Sequence, residues 1–338
     1  MNHKLELGLI GLGLWGQNYL RLIRDDARLN LSCCVDLNVS KFEKDLKVKL
    51  PQANFFNNYK SIWASKMIDA IIVATSSKDH YEIAKECLLA GKHILIEKPM
   101  ALSVRHCEEL ISIAEKNKLV LMVGHIFLYN PSVRKIKELI DSDGIGEPLY
   151  FYSVRTGLGP IRDDVNALWD LAPHDISILL YWLKERPLSV VARGARYLND
   201  KLDDVVFVNI KFENNKMANI HVSWLDAQKT RKITLVGTNK MLMFDDVSTQ
   251  EKIRICDKGV GYHQLGANFG EFQMHIRDGD ILIPKLPSSE PLKEELNHFI
   301  ECIFEKRIPL SDGKNGLEVV RLLEAAQQSL GENRIVNL

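Results

Sequence analysis

The chain has 338 residues, with 44 lysines and arginines against 44 aspartates and glutamates, and 46% apolar side chains. That length exceeds one comfortable hydrophobic core and points to two domains, while a balanced charge spread along the chain excludes the electrostatic footprint of a nucleic-acid binder or a basic membrane-surface protein. No run approaches the roughly 20 apolar residues that span a bilayer, the N-terminus lacks a signal-peptide pattern, and the six cysteines lack metal-ligand spacing, so the expectation is a metal-free, cytoplasmic protein with reduced core thiols.

Residues Leu5–Ile10 read as a buried strand that runs into Gly11-Leu12-Gly13-Leu14-Trp15-Gly16, after which Tyr19, Leu20 and Ile23 share one helical face. This is G-x-G-x-x-G between a strand and a helix, where the first glycine makes the tight turn, the second lets a pyrophosphate approach the backbone and the third permits close packing. The helix N-terminus offers N–H groups and a positive dipole end to phosphates. A second strand, Leu29–Val35, ends at Asp36, about 20 residues past the last glycine, where a carboxylate binds both ribose hydroxyls of NAD. Leu37-Asn38 supply no arginine for a 2′-phosphate, which favours NAD over NADP.

The alternation continues with a helix over 39–50, a short strand at 55–56, a helix over 59–65 and a buried strand over 68–74. Thr75-Ser76-Ser77 at its end either admit a nicotinamide ribose or phosphate or cap the next helix, 79–89, in whose first turn His80 reads as a packing or capping residue rather than a catalytic one. The strand 93–96 stops at Glu97-Lys98-Pro99: the proline cannot continue a ladder and holds Lys98 extended, at the carboxyl edge over which such sheets bind ligands. A helix capped by Ser103 and a strand over 119–123, ending in Gly124-His125, complete a six-stranded doubly wound sheet.

After a helix over 133–140 the pattern changes at residues 143–148. Strands are expected over 150–155, 189–197, 204–212, 217–224, 231–237, 240–244 and 252–255, with hairpin turns at Asn214-Asn215 and Thr238-Asn239. A further hairpin, 272–276 with 281–283, is expected around Arg277-Asp278-Gly279-Asp280. Helices are expected over 172–183, 291–304 and 316–330. The fold class is therefore an α/β Rossmann domain, 1–124, followed by an α+β domain, 125–338, with a large, mostly antiparallel open sheet, its C-terminal helices free to pack back on the first domain. Along 204–212, Val206, Val208, Ile210 and Phe212 share one face. The opposite face is only partly polar, and either pairs sheet-to-sheet in a homo-oligomer, a dimer or tetramer, or is covered by residues 256–290. Asp170 reads as a helix N-cap with His174 one turn on, where a carboxylate and a helix end tune an imidazole in opposite directions. Asp175 reads as solvent-facing or bonded to a neighbour.

Together, Gly11-Leu12-Gly13-Leu14-Trp15-Gly16, Asp36, Glu97-Lys98-Pro99 and Asp170-x-x-x-His174 resemble the glucose–fructose oxidoreductase/inositol dehydrogenase/rhizopine-catabolism (Gfo/Idh/MocA) family over essentially the whole chain. The resemblance implies NAD(P) and oxidation or reduction of a sugar or cyclitol carbon, with Lys98 matching the family lysine and Asp170 and His174 its D-x-x-x-H pair. The catalytic candidates are thus Lys98, His174 and Asp170, and the cofactor candidates, from the residue readings above, are Gly11, Leu12, Gly13, Leu14, Trp15, Gly16, Asp36, Thr75, Ser76, His80, Glu97 and Lys98. Residues 124–131 depart from the commoner version with arginine before Asn-Pro. Residues 160–176 most resemble members acting on nucleotide-linked sugars such as UDP-N-acetylglucosamine, at C3. Arg155, Arg162 and Asn166 are then substrate candidates, or loop charges and a turn-forming asparagine. The partner expected is a small sugar or nucleotide sugar, with inositol, a free sugar or a 3-keto-deoxysugar nucleotide as alternatives, and an NAD-sensing regulator as the non-enzyme alternative.

Overall fold

In the computed structural model, the described residues are 4–62, 67–198, 200–264 and 272–338. Among them the chain runs β1 (Leu5–Ile10), α1 (Leu14–Arg24), β2 (Leu29–Val35), α2 (Ser40–Lys49), β3 (Asn54–Phe56), β4 (Ala70–Val73), α3 (His80–Leu89), β5 (His93–Glu97), α4 (Val104–Asn117) and β6 (Leu121–Gly124). It continues with α5 (Pro131–Asp141), β7 (Pro148–Thr156), α6 (Ala167–Trp182), β8 (Pro187–Ala195), β9 (Val205–Phe212), β10 (Met217–Ser223), β11 (Thr230–Gly237) and β12 (Met241–Asp245). The last elements are β13 (Ile253–Gln264), β14 (Phe272–Leu282), α7 (Pro291–Glu305), α8 (Gly313–Glu332) and β15 (Val336–Asn337). The expected helix over 59–65 is a single 3-10 turn, Tyr59–Ile62, as far as the described residues reach; 63–65 lie outside them.

Two compact units divide the chain: residues up to Tyr129 with Glu290–Glu324, and Asn130–Ser289 with Ala325–Leu338. Residues 125–129 and 290–324, assigned by sequence to the second domain, thus lie in the first unit. The physical reason is the apolar face of α7, where Leu292, Leu296, Phe299 and Ile300 are buried and pack toward the turn Ile126–Tyr129. Ser311 reinforces this by donating its hydroxyl to the Val123 carbonyl at 2.7 Å.

The first unit holds a parallel sheet in the order β3-β2-β1-β4-β5-β6. Its central strands are apolar runs because helices cover both faces, so neither side alternates with polar residues. The strand order reverses between β1 and β4, and the crevice beyond their carboxyl ends is where a doubly wound sheet binds its ligand.

The second unit is built on a nine-stranded sheet, β14-β13-β12-β11-β7-β10-β9-β8-β15, antiparallel except where β7 meets β10. Alternation in β9 buries Val206, Val208, Ile210 and Phe212 against the side where α6 packs, and leaves Phe207 44% exposed on the other. Asn214 and Asn215, with φ of 54° and 58°, make the tight β9–β10 turn. The hairpin expected around 277–280 is instead the middle of β14. Its charges are cross-strand partners rather than turn formers: Lys258 pairs with Asp278 at 2.7 Å and Arg277 with Asp257 at 3.0 Å. The described parts of 256–290 therefore extend the sheet edge as β13 and β14, and the cover that sequence allowed for the open face is not what they form. No described helix is long and apolar enough to cross a membrane.

Candidate active site

The carboxyl edge of the first sheet gathers the glycine loop, Asp36 and the end of β5. Gly11 adopts φ +97°, and a Cβ there would lie 2.3 Å from the Ala74 carbonyl oxygen, so only glycine makes this turn. A Cβ at Gly16 would lie 2.0 Å from the Gly11 carbonyl, whereas the space beside Gly13 is open. No side chain caps α1, leaving its first N–H groups to whatever occupies the loop. Leu14 and Trp15, at the helix start, are exposed. Asp36 braces this loop: its carboxylate accepts the Leu12 N–H at 2.8 Å and the Asn38 N–H at 2.8 Å. A carboxylate has about four acceptor positions, so capacity for ribose hydroxyls remains.

Thr75 and Ser76 follow β4. The Thr75 hydroxyl oxygen is buried with no hydrogen-bond partner among the described residues, and neither Ser76 nor Asp79 caps a helix with its side chain. Of the two roles open to this segment, capping is thus not taken up by Ser76. A turn with open space at Gly13, an uncapped helix end, a strand-end carboxylate and an orphaned hydroxyl fit the diphosphate and ribose groups of a dinucleotide.

His80 is placed differently from a cofactor ligand. It is buried, with Nδ1 2.7 Å from the Pro99 carbonyl and Nε2 3.2 Å from the Thr75 carbonyl, so both ring nitrogens are engaged by backbone. It braces the end of β4 against the Lys98–Pro99 corner, whose peptide bond is cis. Burial pushes its pKa down, against the two carbonyls, and the charge of Lys98 adds to the push.

Lys98 follows β5 directly and is half-buried. Beside it, Glu97 is buried and accepts the Lys98 N–H at 3.3 Å. Burial raises the Glu97 carboxyl to about 7, against the charge of Lys98 and hydrogen bonds from Tyr19 and the Lys98 N–H. Gly124, paired with Glu97 across β5 and β6, leaves room for that carboxylate; a Cβ would stand 3.3 Å from Oε2. Three residues here escaped the sequence reading. His125 is buried with neither ring nitrogen hydrogen-bonded among the described residues, and burial with the nearby charge of Lys98 pushes it down to about 3. Tyr19 and Glu295 are buried, and the Tyr19 hydroxyl is hydrogen-bonded to both Glu97 and Glu295. Glu295 was detectable in principle, as a carboxylate on the same helical face as Leu292, Leu296 and Phe299.

In the second unit the helix carrying Asp170 and His174 begins five residues before the expected 172. Asn166, not Asp170, is the N-cap, its Oδ1 accepting the Trp169 N–H at 3.2 Å. The earlier start follows from burial of Ala167, Leu168 and Trp169, which the pattern around Pro173 concealed. Asp170 therefore sits in the first turn and His174 two turns in, beyond the reach of the helix-end dipole. Asp170 accepts the Trp224 indole N–H at 3.1 Å, and Arg162 lies 3.6 Å away on its other oxygen.

The substrate candidates have partners within the chain. Arg155 is buried and donates to Asp175 at 2.6 and 3.4 Å; Asp175 is buried too, which corrects the solvent-facing reading in favour of a bonded one. Arg162 grips Asp164 at 2.7 and 2.6 Å. Asn166, beyond its capping role, donates to Gln327 at 2.9 Å.

Comparison with known proteins bears on this edge and this helix. Residues 5–125 match the model of the oxidoreductase family with NAD-binding Rossmann fold, and residues 133–243 match the GFO/IDH/MocA C-terminal domain. The UDP-N-acetylglucosamine 3-dehydrogenase of Acidithiobacillus ferrooxidans is 27% identical over 264 residues, 77% of each chain, and its solved structure superposes with a TM-score of 0.80 over 98% of this chain and 99% of that one. The myo-inositol 2-dehydrogenase of Thermotoga maritima is 23% identical over 349 residues, 99% of this chain and 98% of the relative. GenD2 from gentamicin A biosynthesis, solved in complex with NAD, has a TM-score of 0.82 at 22% identity, covering 99% of this chain and 97% of that one. With both family domains matched in order across most of its length, the chain belongs to the Gfo/Idh/MocA oxidoreductase family, whose first domain is an NAD-binding Rossmann fold.

Proposed function

We propose that this protein is an NAD-dependent dehydrogenase of a sugar ring carbon, at C3 of a nucleotide-linked sugar such as UDP-N-acetylglucosamine. The observation that carries the reading is Lys98, half-buried beside Glu97 at the carboxyl edge of a sheet whose glycine loop and Asp36 suit a dinucleotide. When bound, NAD supplies the hydride acceptor or donor at its nicotinamide ring. In the oxidative direction His174 takes the proton of the reacting hydroxyl, and Lys98 hydrogen-bonds the same oxygen as negative charge develops on it. Asp170, anchored by Trp224, orients His174 or an adjacent hydroxyl. His80 holds the Lys98–Pro99 corner in place for this work.

The nucleotide-sugar assignment is supported by the relative matched over three quarters of both chains. A second reading, inositol or a free sugar, is favoured by the arginines: Arg155, Arg162 and Arg231 each pair with a carboxylate of the chain, whereas a diphosphate calls for cationic contacts. We also propose a homo-oligomer formed through the open face of the second sheet.

Following NADH absorbance with UDP-sugars, dTDP-sugars, free sugars and inositols decides among these substrates. Lys98→Ala and His174→Ala are each expected to lower kcat by about 10²–10⁴-fold with NAD affinity retained, as for loss of an acid–base or charge-stabilising group. Near-normal turnover in both variants removes the mechanism. Tight NAD binding without turnover of any substrate points instead to a regulator.

A further inference from the structure

The first unit buries a line of three oxygen-bearing side chains, of which the proposed reaction uses only the neighbourhood of Glu97. The Tyr19 hydroxyl lies 3.1 Å from Glu97 Oε1 and 3.1 Å from Glu295 Oε2. A phenol has a single proton to donate. It serves one carboxyl, and the other must then donate to the phenol oxygen, which only a protonated carboxyl does. Two ionised carboxylates would leave an oxygen–oxygen contact without a proton in a place closed to water, at the full cost of an unsatisfied buried group. At least one of the two is an acid.

The surroundings decide which. Glu97 Oε2 accepts the Lys98 N–H at 3.3 Å and feels the charge of Lys98, so it has reason to be the anion. Glu295 is fully buried, has no ion pair among the described residues, and its Oε1 accepts no hydrogen bond among them. An unbonded oxygen is tolerable on a neutral acid and expensive on a carboxylate.

We infer that Glu295 is a neutral carboxylic acid that donates to Tyr19, which donates in turn to Glu97, making Glu295 and Tyr19 positioning residues for the carboxylate next to Lys98. Only the catalytic readout of this inference rests on the proposed role of Lys98; the protonation pattern stands apart from it. Electrostatics agree with the geometry. Burial raises Glu295 well above the carboxylate range, the charge of Glu97 raises it further, and the Tyr19 bond opposes the rise only in part. The groups facing the pair are Tyr19 from α1, Lys98 from the end of β5 and Tyr129 from the turn under α7, whose own hydroxyl is 3.0 Å from Ser311. Two carboxyls sharing one proton titrate as a pair, the arrangement that lets one stay ionised while the other does not.

Infrared spectra of the full-length protein in the carboxyl region test this, with pH–rate profiles beside them. At about pH 9, well above the Glu97 midpoint, the band of a protonated carboxylic acid is expected in the wild type and absent in Glu295→Gln. A second carboxyl, identified by its loss in Glu97→Gln, should titrate at about 7. Tyr19→Phe should raise that midpoint by about one unit, the worth of a hydrogen bond to a charged group. Glu295→Gln should leave the midpoint in place, since one neutral donor replaces another. The acid limb of kcat/KM should move with the midpoint in Tyr19→Phe. Survival of the acid band above the Glu97 midpoint in Glu295→Gln overturns the inference, as does a midpoint that falls there, because that fall would mean a negative charge had been removed. An acid limb that stays while the midpoint moves overturns the positioning role. Full turnover in Lys98→Ala would sink the proposed reaction and leave the infrared result untouched.

Discussion

His125 shows at the scale of one residue how burial near a charge becomes a pH dependence. Its imidazole, without hydrogen bonds among the described residues, stays neutral in the folded protein down to about 3, while an unfolded chain takes up the proton at about 6.5. Between those values the unfolded state binds one more proton. The stability this neutral histidine contributes is therefore complete above the upper value and is lost as pH falls through the window. His125→Phe should flatten that loss: on going from neutral pH to about pH 5, the urea-unfolding free energy of the wild type should drop by about 2 kcal/mol more than that of the variant. Parallel losses would exclude the idea. Asp36 and Lys98 were readable at this scale because each is marked by its place after a strand. Tyr19 and Glu295 were not, since a phenol and a carboxylate within amphipathic helices look like packing and solvated charge until their partner is known.

At the scale of elements, α6 is joined to β7 by Arg155 and Asp175, a buried pair with one bond of 2.6 Å. Breaking such a pair leaves a charge stranded in the interior, at roughly 3–5 kcal/mol, whereas removing both partners is far milder. Arg155→Met should therefore lower the urea midpoint strongly, and the double variant Arg155→Met/Asp175→Leu should recover most of it. Equal losses in single and double variants would show that packing, not charge, is what the pair supplies. The start of α6 carries a related lesson. Asp170 and Pro173 imitate a helix beginning, and the residue that caps the helix, Asn166, sits in a stretch with the look of a loop. The strands were more legible, because period-two alternation registers burial directly; β13, expected only over 252–255, and β14 were the exceptions, the central charges of β14 being paired across the ladder.

For the whole molecule, the open face of the nine-stranded sheet carries exposed Tyr150, Tyr152, Phe207 and Met217. Exposed aromatic and apolar side chains on a sheet face, here interleaved with Asn209, Asn219 and Lys211, favour self-association. Tyr152→Glu, which places a charge in the middle of that face, should shift sedimenting species to a smaller mass without altering the melting of the subunit. A wild type that sediments as one chain at all concentrations would remove the oligomer proposal.

The sequence by itself determined the dinucleotide-binding sheet, the glycine loop, Asp36, the Glu97-Lys98-Pro99 corner and the spacing of Asp170 and His174. These features depend on neighbours within a few residues, on what glycine and proline permit and on the periods of helix and strand. Only the tertiary structure decided which charges are already committed and which carboxyl holds a proton. Tyr19 meets Glu295 across 276 residues of sequence, and Asn166 meets Gln327 across 161. No local pattern encodes such meetings, because the pairing energy of a buried polar group belongs to the contact that packing creates and not to the residue alone.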